Sequence, residues 1–434
     1  MIKVFFTDSS RRFEQADSLA FAGVSPSVLP TVVLRSEQTY QEVLGFGAAL
    51  TDAACYVISG LPAEPGKALI DNLFSADQMG LNVCRLAIGA SDYARMDYSY
   101  AETPEDSDLR HFSIDYDRDY ILPVIREARK SNPDLFFFSS PWSPPGWMKT
   151  GGSMCGGWMR EKYLEVYARY FLKYLQAYAE AGVTVNAVTP QNETETDQLG
   201  NMPACLWHPE FEMSFARDYL APLLKEHGLD TKVWIMDHNY IMWKRAKWML
   251  DDPAFKDVVD GVAFHGYQGS PDMMTNLHEA HPQTHIYWTE GGPDLGDTYE
   301  IDWCHWGKVF TDAMRNWSRS VTAWNMALDE KGTPNIGPFP CAGLVTVYAD
   351  THQISYSGQY WAMAHFSKTV QRGAKRIGSS EIAGISNVAF ANPTGEKVAV
   401  FTNPGLAKEI RLTYEGKQTV VRLPANSLVT LTWE

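Results

Sequence analysis

Eight short apolar runs alternate with helix-like segments through the middle of the chain, and this alternation constrains the fold more than any other feature. The intervening segments, for example 116–129 and 303–316, carry apolar residues three and four positions apart, the spacing of an amphipathic helix. Eight strands that alternate with helices predict a closed parallel barrel. The runs are Gly45–Thr51, Asn82–Ile88, Leu135–Ser139, Val183–Val188, Lys232–Met236, Gly261–Phe264, His285–Trp288 and Val321–Asn325.

Both ends of the chain follow a different pattern, in which Pro, Gly and Asn separate short apolar runs. Residues 1–44 show this rhythm, and it returns after Ile382 in runs such as Val398–Phe401. Such runs, bounded by turn residues, are typical of antiparallel strands. We therefore predict an α/β protein with a (β/α)8 TIM barrel at residues 45–375 and a side β-sandwich formed by both termini, residues 1–44 and 376–434.

Composition excludes several classes of partner. The 52 acidic residues outnumber the 37 Lys and Arg, and the resulting formal charge of −15 would repel a nucleic acid or an anionic membrane. No apolar run reaches the roughly eighteen residues of a membrane span. The six cysteines are scattered without zinc-ligand spacing, which predicts free thiols and no metal or cofactor.

The compartment is predicted from the first residues. The stretch Met1–Asp8 carries a lysine at its third position and lacks the apolar segment of a secretory signal. We therefore expect a cytoplasmic protein, or a secreted one if a leader was removed from a longer precursor. The sequence predicts no particular oligomeric state.

Two carboxylic acids each follow an apolar run, Glu193 after Val183–Val188 and Glu290 after His285–Trp288. The carboxyl ends of barrel strands meet at one rim, so we predict that the two acids face each other there. A pair of carboxyl groups can cleave a glycosidic bond, with retention when they are about 5 Å apart and with inversion at roughly 6.5 to 9.5 Å. We assign Glu193 as general acid and base because it follows Asn192, whose amide could bond the sugar 2-hydroxyl. Glu290 is then the nucleophile.

Polar side chains at other predicted strand ends are candidates for holding the substrate. His265 and Tyr267 would point to one side of a continuing strand, where the Tyr267 hydroxyl could donate to Glu290; the alternative for His265 is a core histidine satisfied by backbone. Asp92 could accept from sugar hydroxyls, or else be a turn or helix-capping residue. Arg85 lies inside an apolar run, so we expect an acid of the barrel as its partner.

Aromatic rings near the strand ends are candidates for stacking against sugar faces. Trp142 and Trp147 lie in the proline-rich segment Ser140–Trp147, which cannot form a helix and has a fixed path. Trp324 lies at the end of the eighth run and could line the floor of the site. Most of the fourteen Trp are expected to be core residues, as is usual in a protein of this size.

Several motifs resemble family 30 of the glycoside hydrolases, specifically its glucosylceramidase-like branch. They occur in order from about residue 40 to 375, and His365–Lys368 extends the match toward the carboxyl end. The motifs are Gly45–Ala54, Tyr98–Pro104, Ser140–Thr150, Asn192-Glu193, His265–Tyr267, Thr289-Glu290 and Trp324–Leu328.

The resemblance implies a (β/α)8 barrel with a side β-domain woven from both termini, and hydrolysis with retention of configuration. It implies that Glu193 is the acid/base and Glu290 the nucleophile, in agreement with the assignment from the residues. Further roles are implied at the nucleophile for Tyr267 and in sugar contact for Asp92, Trp147, Asn192 and Trp324.

Two departures from the family pattern concern the leaving-group side. Family members commonly have Pro directly after the acid/base Glu, whereas Thr194 stands here. Glucosylceramidases are similar around Gly200–Cys205 but place an aromatic residue near the position of Asn201-Met202. A ceramide substrate is therefore not predicted.

The sequence thus predicts a metal-independent retaining β-glycosidase that cleaves a terminal β-glucosidic bond of a glucoside or oligosaccharide through a covalent glycosyl-enzyme. Alternatives within the family are a β-1,6-glucanase, a β-xylosidase and a β-fucosidase. Two alternatives belong to other classes. One is a carbohydrate-binding barrel that has lost catalysis, and the other is a metal hydrolase built from Asp237, His238 and His265.

Overall fold

The amino-terminal segment forms strands that lie outside the barrel. A computed structural model describes residues 1–434. Most of these strands pair with the carboxyl-terminal part of the chain, as described below. They are β1 (Ile2–Thr7), β2 (Glu14–Leu19), β3 (Ala22–Gly23) and β4 (Thr31–Glu42).

The next eight strands form a closed parallel barrel. The first of them pairs with both the second and the eighth, which closes the cylinder and confirms the predicted fold. The strands are β5 (Gly45–Ala49), β6 (Val83–Ala87), β7 (Phe136–Ser140), β8 (Ala187–Val188), β9 (Lys232–Asn239), β10 (Gly261–His265), β11 (His285–Glu290) and β12 (Ser318–Ala323).

Helices connect the barrel strands and cover the outside of the cylinder. Thr51 caps the first helix, because its side-chain hydroxyl oxygen accepts a hydrogen bond from the Ala54 N–H. None of the helices combines the length and apolar character needed to cross a membrane. They are α1 (Asp52–Ser59), α2 (Ala63–Phe74), α3 (Ile121–Ser131), α4 (Leu164–Glu180), α5 (Pro209–Ser214), α6 (Ala221–Glu226), α7 (Trp243–Leu250), α8 (Pro253–Lys256), α9 (Asp272–Ala280), α10 (Trp303–Arg315) and α11 (Gly358–Ser367), with a π-helical turn at Phe215–Leu220 between α5 and α6.

The carboxyl-terminal strands complete the β-domain together with the amino-terminal ones. β1 pairs antiparallel with the last strand, and β4 pairs with two strands of the carboxyl-terminal group, so both termini contribute as predicted. A separate small sheet of three strands follows the barrel. The strands are β13 (Ala327–Leu328), β14 (Val345–Val347) and β15 (Ile354–Tyr356) in the small sheet, then β16 (Lys375–Ser379), β17 (Ser386–Ala391), β18 (Lys397–Asn403), β19 (Lys408–Tyr414), β20 (Lys417–Leu423) and β21 (Ser427–Trp433).

Apolar side chains fill the interior of the barrel below the site. Phe138, Trp234 and Tyr287 belong to one buried cluster and come from the alternate strands β7, β9 and β11, and the Trp234 and Tyr287 rings stack with centroids 3.8 Å apart. Large rings packed in this way leave no channel through the cylinder. The polar residues at the carboxyl ends of the strands therefore lie above a closed apolar floor.

Several predicted strand bounds are wrong in detail, and those of the fourth and eighth strands bear on the site. The fourth strand pairs only at Ala187–Val188, because Val183 still donates its N–H to Tyr178 at the end of α4. Glu193 therefore lies in the loop five residues beyond β8, with a φ of 50°, and does not end the strand. The eighth strand begins at Ser318, three residues earlier than predicted, and ends at Ala323.

The long connection between β6 and α3 is tied to the rest of the barrel through a buried carboxylate. Asp117 accepts hydrogen bonds from the hydroxyls of Tyr98 (3.2 Å), Tyr100 (2.6 Å) and Tyr178 (2.6 Å). Burial raises the pKa of Asp117 to about 6, although the three hydroxyls oppose the shift. This carboxyl group therefore titrates in the folded protein at a pH well above that of an exposed aspartate.

We expect this group to make stability fall as pH rises from about 4 to about 6. In that window the unfolded chain has released the Asp117 proton, while the folded protein still retains it. The loss in unfolding free energy is about 2–3 kcal/mol, and Asp117→Asn removes it. Urea unfolding of both proteins at several pH values measures the difference, and parallel pH profiles would contradict the assignment.

Candidate active site

Two carboxylates, Glu193 and Glu290, flank one imidazole at the carboxyl end of the barrel. Glu290 is the last residue of β11, and Glu193 lies in the loop after β8. The His265 ring has Nδ1 3.0 Å from Glu193 Oε1 and Nε2 3.7 Å from Glu290 Oε2. The two acids therefore lie at the same rim of the barrel, although nearly a hundred residues separate them in the sequence.

Two β-bulges orient the side chains at this rim. β9 gains one residue relative to β10 at Asp237, which has a φ of 46°, and β11 gains one at Thr289. A bulge breaks the alternation of a strand and turns the next side chain to the other face. As a consequence Asp237 points into the buried network, and His238 can reach the cavity beside it.

Asp237 is the centre of the buried hydrogen-bond network. Burial by itself would raise the pKa of Asp237, but the Arg85 charge and the hydrogen bond from His265 outweigh it and hold the pKa well below its ordinary value. Asp237 therefore remains an anion that fixes the groups around it. It accepts from Ser140 (2.7 Å), Arg85 (2.8 Å), Thr189 (2.8 Å), His265 (3.0 Å) and Thr289 (3.0 Å).

Arg85 links the network to the nucleophile candidate. Its fully buried guanidinium donates to Glu290 Oε2, to Asp237 Oδ2 and, at 2.8 Å, to Asn192 Oδ1. The expectation that a barrel acid pairs with Arg85 is therefore confirmed. Arg85 binds the side-chain oxygen of Asn192. The side-chain NH₂ group of Asn192 is therefore left to donate toward the cavity, which Asn192 lines.

The network controls the charge of Glu193 and His265. Burial by itself would lower the pKa of His265, but the charge of Glu290 and the hydrogen bonds to Asp237 and Glu193 raise it to about 9. Burial would raise the pKa of Glu193, but the two imidazoles beside it, His238 and the hydrogen-bonded His265, outweigh burial and lower that pKa. The free protein therefore holds an ionised Glu193 beside a protonated His265 at neutral pH.

Tyr267 contacts the other carboxylate. Its hydroxyl donates to Glu290 Oε1 at 3.0 Å, and its backbone N–H donates to Asn239 Oδ1 at 3.0 Å. The hydrogen bond predicted between Tyr267 and Glu290 is thus present in the structure. Together with Arg85 on Oε2, it satisfies both oxygens of Glu290 and fixes the plane of the carboxylate.

We expect Tyr267→Phe to lower kcat/KM for an aryl β-glucoside by about 10- to 100-fold. A hydrogen bond to a charged group contributes about 1.5–3 kcal/mol, and this one orients the carboxylate that the sequence predicts as the nucleophile. Steady-state kinetics measures the change, with Tyr56→Phe on the outer helix α1 as the matched control. Equal activities of the two variants would show that the Tyr267 hydroxyl does not orient Glu290 for the reaction.

A cavity of about 590 Å³ opens above the two carboxylates. One wall holds the indole of Trp142, stacked on Trp324 with ring centroids 5.1 Å apart and covered from below by the Arg85 guanidinium. Both rings are nearly fully buried, so only their edges and part of a face are left for a ligand. The predicted site residues that line the cavity are Asp92, Trp142, Asn192, Glu193, Tyr267, Glu290 and Trp324.

Two predicted substrate-binding residues do not line the cavity. His265 is fully buried beneath it and acts on both carboxylates instead. Trp147 lies elsewhere, because the short helical turn Gly146–Met148 directs its ring onto Tyr163, and its indole N–H donates to the Ala101 carbonyl at 2.8 Å. The proline-rich segment presents Trp142 and not Trp147 to the site.

Several cavity residues come from loops whose course the sequence does not reveal. Gln198 donates its side-chain amide to Glu193 Oε2 at 3.1 Å from a backbone with a φ of 50°. Glu195 lines the cavity and pairs with Arg245. The position of both residues just after Glu193 was the only available signal. Other lining residues are Met202, Met242, Gln268, Asp294, Phe339 and Cys341.

One group of side chains is able to hold a metal ion. Glu193, His238 and His265 present ligand atoms that all lie within 4.8 Å of one another. Asp237, which the sequence suggested as a ligand, is not part of this group because its oxygens are bound by Arg85, Ser140 and their neighbours. Glu193 is the only acidic residue in this group.

Two family models account for nearly the whole chain. A glycosyl hydrolase family 30 TIM-barrel domain matches residues 43–370, and a glycosyl hydrolase family 30 beta sandwich domain matches residues 373–431. Among curated proteins, an endo-1,6-beta-D-glucanase of Neurospora crassa is 32% identical over 90% of this chain and 85% of its own. The putative glucosylceramidase 4 of Caenorhabditis elegans is 31% identical, covering 93% of this chain and 83% of its own.

Solved structures agree with these relatives. An endo-beta1,6-glucanase superposes with a TM-score of 0.91 at 28% identity, over 100% of this chain and 99% of its own. SrfJ from Salmonella typhimurium superposes with a TM-score of 0.96 at 25% identity over the full length of both chains. The match of both family domains, in order and over the residues that build the site, shows that the chain belongs to glycoside hydrolase family 30.

Proposed function

We propose that this family 30 hydrolase removes a terminal β-glucosyl unit with retention of configuration. A Glu290 oxygen attacks the anomeric carbon, the glycosidic bond breaks, and Glu193 gives its proton to the departing oxygen. Water then attacks the glycosyl-enzyme, Glu193 accepts the proton from that water, and the bond between the sugar and Glu290 breaks. Neither step requires a metal ion or an organic cofactor.

The environment of Glu290 supports its role as nucleophile. Arg85 and Tyr267 each donate to one of its oxygens, which fixes its orientation. Both donors are themselves held, Arg85 by Asp237 and the Tyr267 backbone by Asn239. A carboxylate held in this way can attack a bound sugar without first reorganising its surroundings.

The environment of Glu193 supports the acid/base role. Its carboxylate lines the cavity together with Gln198, Met242 and Gln268, on the side proposed for the leaving group. A general acid must carry a proton when substrate is bound, whereas the free protein favours the ionised form. Displacement of the Gln198 amide by a bound leaving group removes one donor that opposes protonation, and the protonated His265 lies 3.0 Å away as a proton source.

The observation that carries the preference for a terminal sugar is a continuous wall on the opposite side. The loops after β6, β11 and β13 are joined by backbone hydrogen bonds from Ile336 to Asp92, from Leu295 to Pro340 and from Ala342 to Pro293, each of 2.8 Å. Loops joined at three points can close that side of the cavity to a longer sugar chain. We therefore infer that the site accepts the end of a chain and not its interior.

Asp92 supports recognition of a sugar in the pocket beside this wall. Its side chain is almost fully buried, and its Oδ1 atom has no hydrogen-bond partner within the protein. A buried acceptor without a partner is costly, and a sugar hydroxyl would satisfy it. Glucose is the proposed sugar because the activities named for the relatives, glucosylceramidase and 1,6-beta-glucanase, both act on β-glucosyl groups.

A second candidate is an endo-acting β-1,6-glucanase. It is favoured by two curated relatives and one solved structure that carry this name, the second relative being the enzyme of Trichoderma harzianum at 31% identity. Both candidates cleave a β-glucosidic bond. They differ in whether that bond lies at the end or in the interior of the glucan chain. The products therefore distinguish them.

The test is a panel of aryl β-glycosides followed by a purified β-1,6-linked glucan ladder. We expect the aryl β-glucoside to be the best substrate, ahead of the xyloside and fucoside, and glucose to be the first product from every oligosaccharide. Early release of disaccharides and longer fragments would favour the endo-acting candidate. Absence of hydrolysis of any β-glucoside would contradict both.

A further inference from the structure

The proposed acid/base carboxylate is surrounded by two histidine nitrogens in a way that the glycosidase reaction alone does not explain. Glu193 Oε1 lies 3.0 Å from His265 Nδ1 and 3.5 Å from His238 Nδ1. These three ligand atoms all lie within 4.8 Å of one another, and all three side chains are largely buried. Two imidazoles and one carboxylate are a common ligand set for zinc.

The spacing fits a tetrahedral ion. Bonds from zinc to imidazole nitrogen or carboxylate oxygen are about 2.0–2.1 Å long, so neighbouring ligand atoms of a tetrahedron lie about 3.3 Å apart. The separations of 3.0 and 3.5 Å bracket this value. The three ligand atoms lie within 4.8 Å of one another, so the two rings must move closer together for all three atoms to reach one centre, and Glu193 and His238 line the cavity beside it.

Two independent observations show a ligand set prepared for a cation. The His238 side chain is nine-tenths buried, and its Nδ1 atom has no hydrogen-bond partner within the protein. His265 Nε2 lies 3.0 Å from Asp237 Oδ1, so that a carboxylate orients the ring from behind. A histidine that ligates a metal commonly has such a carboxylate on its other nitrogen, which fixes the ring and makes it a better ligand.

We propose that Glu193, His238 and His265 form an inhibitory site for zinc or a similar dication with a preference for imidazole. The ion replaces the proton shared between Glu193 and His265, and it occupies the carboxylate that the proposed mechanism needs as a proton donor. Magnesium and calcium prefer sites made of oxygen atoms and bind here weakly. The inhibition rests on the proposed role of Glu193, whereas metal binding does not.

Direct binding is measured first, by isothermal titration of the whole purified chain with zinc chloride and with magnesium chloride. We expect one zinc per chain and no saturable magnesium binding. His238→Asn and Glu193→Gln should each weaken zinc binding by at least about 10-fold, since each removes a ligand. The control, His305→Asn on the surface helix α10, should bind zinc as the wild type does.

Folding and activity are then measured on the same proteins. Thermal melting shows whether each variant is folded, and zinc should raise the melting temperature of the wild type but not that of His238→Asn. Zinc should inhibit hydrolysis of a β-glucoside reversibly, with full recovery after chelation, and the inhibition constant should follow the binding constant across the variants.

Absence of saturable zinc binding, or equal binding by the wild type, His238→Asn and Glu193→Gln, would overturn the metal site. Activation by zinc would overturn its inhibitory role. If zinc binds through these residues but no β-glycoside is hydrolysed, the proposed function fails and the metal site stands.

Discussion

Glu290→Gln should reduce kcat for an aryl β-glucoside by about 10⁴-fold or more, the largest effect expected of any single substitution in this chain. Removal of the nucleophile of a covalent mechanism abolishes the first chemical step, and binding residues cannot replace it. The amide retains the size of the carboxylate and a partner for Tyr267, so the cavity keeps its shape. Initial-rate kinetics on highly purified protein measures the loss.

Arg85 makes a folding control necessary for this variant. Its guanidinium is fully buried and loses one of its two anionic partners when Glu290 is replaced. Thermal melting of Glu290→Gln must therefore show a folded protein before the kinetics is interpreted. Glu290→Gly with azide provides a second readout, because an external anion in the vacated space should yield the α-glucosyl azide from an activated β-glucosyl donor. A folded Glu290→Gln variant with more than a tenth of wild-type activity would contradict the nucleophile assignment.

Glu193→Gln should have an effect that depends on the leaving group. A general acid contributes about 10²- to 10⁴-fold, and only when the departing oxygen needs a proton. We expect kcat/KM for an alkyl glucoside or a disaccharide to fall by about 10³-fold, while the value for a dinitrophenyl glucoside changes by less than about tenfold. Parallel assays of these substrates measure the difference.

The second step of the same variant provides its control. Without a general base the glycosyl-enzyme hydrolyses slowly, so the dinitrophenyl substrate should give a burst of phenolate followed by a slow steady state. Azide should speed the steady state and yield the β-glucosyl azide, the opposite anomer from the Glu290→Gly product. Equal losses on good and poor leaving groups would show that Glu193 does not act as the acid.

The barrel and the nucleophile side of the site could be predicted because local sequence rules determine them. The run His285–Trp288 is short and mostly apolar, and Glu290 comes two residues after it, so a strand with a carboxylate at its end is the natural interpretation. His265 and Tyr267 are two residues apart after another strand, and the Tyr267 hydroxyl does reach Glu290. Period and position are sufficient for inferences of this kind.

The rest of the site depends on contacts between distant parts of the chain. The bulge at Asp237 lets β9 pair with β10 while the Asp237 side chain reaches Arg85. Neither β10 nor Arg85 is near Asp237 in the sequence. The hydrogen bond from Ile336 to Asp92 that helps to close the pocket joins loops more than two hundred residues apart. Patterns within one segment cannot reveal such pairings.

Trp147 shows the limit of reasoning from chemical type. Proline rigidity was a sound argument for a fixed loop, but the direction of each ring depends on the turn at Gly146–Met148, which no periodicity encodes. The same applies to Gln198, whose left-handed backbone places its amide on Glu193. Residue type indicated candidates, and only the three-dimensional course of the loops selected among them.

The most direct test of the account follows the product by proton NMR during the first minutes of hydrolysis of an aryl β-glucoside. Attack by Glu290 followed by attack of water at the same carbon inverts the configuration twice, so β-glucose should appear first and α-glucose only later, through mutarotation. If α-glucose is released first, water attacks the substrate directly, and the assignment of Glu290 as a covalent nucleophile is wrong.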